Sequence, residues 1–134
     1  MKRCPELFQI EATECGAVSL GMVMEYHGVI VPPEELRDAC QVSRDGSRAS
    51  ELVKTARRFG FDARGFRVNN PDDILKYKLP AILYWDFCHF LVCCGKKGGD
   101  WILNDPASGR RTVTSEEMDR SFTGVLLQSR PRRE

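Results

Sequence analysis

The stretch from Gln9 to Gly28, QIEATECGAVSLGMVMEYHG, decides how the chain is read. Cys15 stands between a glutamate and a glycine, directly ahead of an apolar run. Thr13 can N-cap a helix that continues to about Tyr26, where His27 supplies a cationic side chain for the last turn and Gly28 the left-handed residue that ends it. Ala17, Val18, Leu20, Met22, Val23 and Met24 make this helix apolar nearly all the way round, so it is expected to lie buried between other layers. Cys15 then falls at its second position. Free N–H groups and the positive end of the helix dipole can stabilise an anionic nucleophile there.

Outward from this helix, VPP leads into a second, Glu34 to Cys40, with Pro33 in its first turn where the missing N–H costs nothing. A third is expected from Ser47 as N-cap through RASELVKTARRF, with Gly60 as its stop. The period then changes. FDARGFRV reads as a strand and PDDILKYK as a helical turn or two; Pro80 then precedes AILYWDFCHFLVCCG, one long β-type run. KKGGD turns the chain into WILND, and RRTVT follows the loop PASG as another strand. Thr114 and Glu117 form a capping box before SEEMDRSF, and GVLLQS closes the fold as a strand. Helices first, then a mostly antiparallel sheet, is an α+β layout. Residues 1–134 are read as one domain, with 1–8 a flexible N-terminal arm and 129–134 a flexible tail.

Composition narrows the function classes. With 42% hydrophobic and 29% charged residues and a net charge of +1, the chain offers no electrostatic footprint for nucleic acid. Its longest apolar runs, Ala81–Trp85 and Phe90–Cys94, fall far short of the ~20 residues that span a bilayer, and no secretory signal opens it, so a soluble chain is expected. Cys4, Cys15, Cys40, Cys88, Cys93 and Cys94 include an adjacent pair but no C-x-x-C and no Cys/His pairing of zinc type. Free thiols in a reducing compartment are therefore expected, with neither metal nor cofactor. Cys40, Cys93 and Cys94 read as small core residues.

A catalytic cysteine needs a base, and the chain has two histidines. His27 lies twelve residues along the same helix, roughly 18 Å from Cys15 at 1.5 Å per residue, and is excluded by distance. His89 remains. If the next turn centres near Lys97-Gly98, antiparallel register puts Asp105 or Pro106 opposite His89, and opposed or diagonal residues lie within ~4.5–8 Å. Asp105 is thus the natural orienting carboxylate, although NDPASG can equally be a turn in which Asp105 serves the local backbone. Asp86 and Asp100 are weaker candidates. The Cys15 N–H is one donor for a developing oxyanion, and the Gln9 side-chain amide is placed to be another. A nucleophile on a buried helix, with base and orienter on a sheet behind it, is the layout of papain-like cysteine peptidases.

The segments QIEATECGAVSLGMVMEYHG, VPPEELRDACQVSRDGSRASELVKTARRFGFDARGF, LPAILYWDFCHFLV, LNDPASGRR and FTGVLL closely resemble the bacteriocin-processing peptidase domain at the N-terminus of peptide-exporting ABC transporters. The branch attached to lanthipeptide systems is the most similar. The resemblance implies a cysteine endopeptidase that cuts a leader peptide after Gly-Gly or Gly-Ala, with Cys15 the nucleophile, His89 the general base and acid, Asp105 the orienter and Gln9 the oxyanion donor. It also implies that the leader docks as an amphipathic helix on a hydrophobic patch, for which Trp85, Phe87 and Trp101 are candidates. Its two small residues thread a narrow slot. Partners would be the precursor peptide and the membrane and ATP-binding regions of a transporter, absent from this chain, at the cytoplasmic face of a bacterial membrane. Glu14 and Phe122 stand where the family commonly has Asp and Trp. Rival readings are a non-catalytic leader-docking module of the same fold and a thiol redox or acyltransfer enzyme.

Overall fold

The computed structural model describes residues 3–132. Helix α1 (Cys15–Tyr26) is followed by α2 (Pro33–Ala39) and α3 (Ala49–Arg58). The strands are β1 (Phe61–Arg67), β2 (Ala81–Trp85), β3 (His89–Lys97), β4 (Asp100–Asp105), β5 (Gly109–Val113) and β6 (Phe122–Pro131), with α4 (Ser115–Ser121) between the last two. They form one six-stranded sheet in the order β1-β6-β2-β3-β4-β5. Every neighbouring pair is antiparallel, which gives the α+β, papain-like architecture expected from the sequence.

Both sheet faces are covered, and this explains the unbroken apolar runs. Ile82, Phe90 and Val92 face the helices and pack with Leu20, Met24, Leu52 and Phe61. Their strand neighbours Leu83, Leu91 and Cys93 face the other way and pack with Trp101, Met118 and Leu126. A strand buried on both faces shows no polar alternation. Each fully buried Leu or Met contributes about 1.5–3 kcal/mol from the area removed from water, so α1 is held in place by its whole circumference. Gly16 and Gly21 let neighbours approach it closely, with Leu52 Cδ1 and Leu36 Cδ2 each 3.0 Å from where a Cβ would stand.

The structure departs from the sequence reading at several points. Thr13 lies in a 3-10 turn, Ala12–Glu14, so Glu14 is the N-cap residue and Cys15 the first residue of α1 rather than the second. Helix α3 is capped by Arg48, because the Ser47 hydroxyl instead donates to the Cys40 carbonyl at 3.0 Å. The long run Ala81–Gly95 is two strands joined by a tight turn at Asp86 (φ 53°) and Phe87 (φ 57°). Successive left-handed residues match the twist of a hairpin but strain a side chain as large as phenylalanine. Tertiary contacts hold them: the Asp86 N–H donates to Ser121 O at 2.8 Å and the Tyr84 hydroxyl to Phe87 O at 2.7 Å.

Both ends make contacts with the sheet. In the arm, the Asn104 side-chain amide donates to Cys4 O at 3.2 Å and to Pro5 O at 2.7 Å, and Arg110 Nη2 donates to Cys4 O at 2.7 Å. Cys4 itself is buried. In the tail, Ser129, Arg130 and Pro131 pair with Ala63, Asp62 and Phe61 as part of β6. These contacts with the sheet begin at Cys4 in the arm and run over 129–131 in the tail. The outermost residues of both expected flexible ends, 1–2 and 133–134, lie outside the described residues.

Candidate active site

The head of α1 lands on the start of β3. Cys15 is buried there, and the Phe90 N–H donates to its Sγ at 3.4 Å. His89 is the first residue of β3. Its Nε2 lies 2.7 Å from Asp105 Oδ1, and its ring also hydrogen-bonds to Cys15. With Nε2 committed to the carboxylate, Nδ1 is the nitrogen left for the thiol. The structure thus sets Cys15, His89 and Asp105 side by side, although by a different register from the expected one. The turn centres on Gly98-Gly99, with Lys97 opposite Asp100, and β3 bulges between Cys93 and Gly95. Val92 pairs with Asn104; three steps further this register sets His89 opposite Ala107, with Asp105 on the diagonal.

The two sequence readings of Asp105 hold at once. Its Oδ1 accepts from the Ala107 N–H at 2.9 Å as well as facing His89, while Arg111 Nη2 donates to Oδ2 at 3.3 Å. A carboxylate fixed from three sides holds the imidazole in one orientation. Asp86 and Asp100 are both exposed at turns. Burial opposes the charged forms of His89 and Asp105, but the pairing outweighs it in both. The Asp105 and Cys15 hydrogen bonds raise the histidine to about 9. The His89 and Ala107 hydrogen bonds hold Asp105 below its usual range.

A histidine raised from 6.5 to about 9 contributes stability that is complete below pH 6.5 and lost as pH climbs through 9. The wild type is therefore expected to lose more stability than His89→Gln as pH rises across that window. Urea unfolding of both at several pH values measures this, and parallel curves would contradict it.

Gln9 lies beside this line. Its backbone N–H donates to Pro106 O at 2.9 Å, directly after Asp105, and ties the arm to the β4–β5 turn. Its side-chain oxygen is buried and makes no hydrogen bond, so that atom serves no structural contact. Phe8 packs over the same turn, its Cζ 3.2 Å from where a Cβ of Gly109 (φ 91°) would stand; only glycine permits that approach. His27 is at the far end of α1, its ring against Tyr26 (5.1 Å) and Phe61 (5.8 Å).

The expected substrate patch is corrected. Trp101 (0% exposed) and Trp85 (5%) belong to the core on the sheet face opposite α1–α3, beneath Met118 of α4, where strand-flanking aromatics fill space. Of the three candidates, only Phe87 is exposed, at 75%. The reading missed Phe8 and Ile10, which stand out from the arm on either side of Gln9 at 59% and 83% exposure. They border an apolar groove floored by Leu7, Ala17, Val18 and Leu36. Their signal was their position: large apolar residues in a segment too polar to be core. Also missed was the anchoring role of Glu14, whose buried carboxylate accepts from the Ile10 N–H at 3.0 Å and pairs with Arg37 at 3.4 Å. No cluster of three or more metal-ligating side chains occurs among the described residues.

Residues 4–134 match the model of the Peptidase C39 family. The chain is 35% identical over 130 residues to the probable microcin-H47 secretion/processing ATP-binding protein MchF of Escherichia coli, and equally to the colicin V secretion/processing ATP-binding protein CvaB of the same organism. Each alignment covers 97% of this chain but 18% of the relative, so the chain spans less than a fifth of the length of those curated relatives. Among solved structures it is similar to a double glycine motif protease from an AMS/PCAT transporter in complex with the leader peptide, at 44% identity and a TM-score of 0.94, covering 98% of this chain and 94% of that one. The peptidase domain of Streptococcus ComA shares the fold at 20% identity and a TM-score of 0.89, covering 97% and 100%.

Proposed function

We propose, from the premise that this chain belongs to the Peptidase C39 family, that it is a cysteine endopeptidase removing leader peptides from ribosomally made precursors of bacteriocin or lanthipeptide type by cutting after Gly-Gly or Gly-Ala. The observation that carries this is the Cys15–His89–Asp105 line at the head of a buried helix. Cys15 attacks the carbonyl of the second small residue. The Cys15 N–H and the Gln9 amide receive the oxyanion, His89 protonates the departing amine, and a water deprotonated by His89 then releases the leader from the sulfur. Asp105 keeps the ring oriented and its charge matched through both steps. An intact line of this kind favours catalysis over a docking-only module.

The apolar groove beside Gln9, edged by Phe8 and Ile10, supports a leader that docks as an amphipathic helix next to the cut. The transporter relatives support an assembly in which residues 1–134 act as a peptidase domain beside membrane and ATP-binding regions, at the cytoplasmic face. Among the described residues, no helix is long and apolar enough to cross a membrane.

The test is cleavage of a leader whose two small residues before the cut are enlarged one at a time. Valine at either is expected to lower kcat/KM by more than about a hundredfold, because exclusion from a tight slot costs several kcal/mol. The same change after the cut should cost less than about fivefold. Equal tolerance on both sides would remove the proposal. Gln9→Ala should lower kcat by about ten- to a thousandfold with little change in KM, as loss of an oxyanion donor does. A rise in KM at unchanged kcat would assign Gln9 to ground-state binding instead.

A further inference from the structure

We propose that Cys4 and Cys94 form a peroxide-sensitive dithiol that closes to a disulfide and clamps the Gln9-bearing arm to the sheet. These thiols lie outside the catalytic line and come from segments far apart in sequence. Cys4 is buried at the root of the arm; Cys94 sits half-buried in the bulge of β3, on the helix-facing side of the sheet, in the same apolar cluster. Asn104, whose side chain holds the Cys4 carbonyl, pairs with Val92 two residues before Cys94 on the same face of the sheet, and this brings the root of the arm to Cys94. Asn104 and Arg110 organise the pair. Arg110 Nε donates to Asn104 Oδ1 at 2.8 Å, and both side chains donate to the Cys4 carbonyl, which fixes the arm's cysteine over the bulge.

The surroundings assign the roles. The Cys4 hydrogen bond lowers Cys94 despite burial, with help from the Arg110 guanidinium, while the same pair interaction and burial raise Cys4. Cys94 is only half-buried whereas Cys4 is buried, so peroxide reaches Cys94 first; it is the attacking sulfur and Cys4 the resolving thiol. Its thiolate attacks one oxygen of hydrogen peroxide, the O–O bond breaks, and the departing hydroxide takes up a proton as water. The Cys4 sulfur then attacks the sulfenic acid, its proton leaves with the hydroxyl as a second water, and the S–S bond forms. Two thiols lose two electrons and peroxide gains them.

The experiment is peroxide treatment of the whole chain, alkylation of remaining thiols, and peptide mapping without reductant. A Cys4–Cys94 cross-linked peptide is expected, with an intact mass about 2 Da lower that dithiothreitol restores. The unfolding midpoint should rise by at least about 5 °C, because the bond closes a long loop. Cys4→Ser should leave a sulfenic acid on Cys94 that dimedone captures, and Cys94→Ser should abolish the cross-link. Alkylation of both thiols after peroxide, or a cross-link from Cys94 to Cys88 or Cys15, would overturn the proposal.

Discussion

Cys15→Ala is expected to abolish cleavage of a double-glycine leader, by more than about a thousandfold in kcat, while leader affinity changes less than threefold. The asymmetry follows from where Cys15 sits. Its sulfur faces the Phe90 N–H and the His89 ring, whereas the apolar groove is lined by α2, the arm and the outer side of α1. Truncation removes the attacking atom and leaves the docking surface untouched. Alanine is also tolerated at the first position of a helix, so α1 should form as before. Cleavage kinetics and fluorescence-anisotropy binding, measured on the same preparation, separate the two effects. A variant that still cuts at more than a few per cent of the wild-type rate would show that Cys15 is not the nucleophile.

The second large effect is the contrast between the two histidines. His89→Ala removes the base and acid and leaves Asp105 held only by the Ala107 N–H and Arg111, so kcat/KM is expected to fall by about a thousandfold or more. His27→Ala removes a ring that meets Tyr26 edge-on and Phe61 at a tilt, at the opposite end of α1. It should change kcat/KM by less than threefold, with its cost appearing in stability. Denaturant midpoints and steady-state kinetics on both variants test this. A larger activity loss at His27 would contradict the placement of the active site at the head of α1.

Much of this arrangement was legible in the chain because local chemistry and global fold agree. The capping box of Thr114 and Glu117 forms as written, and α1 ends on His27 with Gly28 in the left-handed conformation. His89 and Asp105 meet because diagonal neighbours in a sheet stay within reach even when the register slips. What was not legible depends on tertiary contact. Asp86-Phe87 carries no glycine to announce a turn; its backbone is held by Ser121, far away in sequence, and by the Tyr84 hydroxyl three residues back. Trp85 and Trp101 looked like a docking patch because β2 to β4 are buried on both faces, and no polar alternation marks which aromatic stays exposed. Glu14 showed in the sequence only as a departure from the family's usual Asp, yet its carboxylate joins the arm, α1 and α2.

A double-glycine leader is expected to be presented to Cys15. Reaction with a leader peptide ending in a chloromethyl ketone after the second glycine, followed by peptide mapping, tests it most directly. One adduct per chain is expected, on Cys15, with its rate of formation lost in His89→Ala and none on the exposed Cys88. An adduct on Cys88 or spread over several cysteines, or labelling of Cys15 that proceeds as fast without the leader sequence, would contradict it.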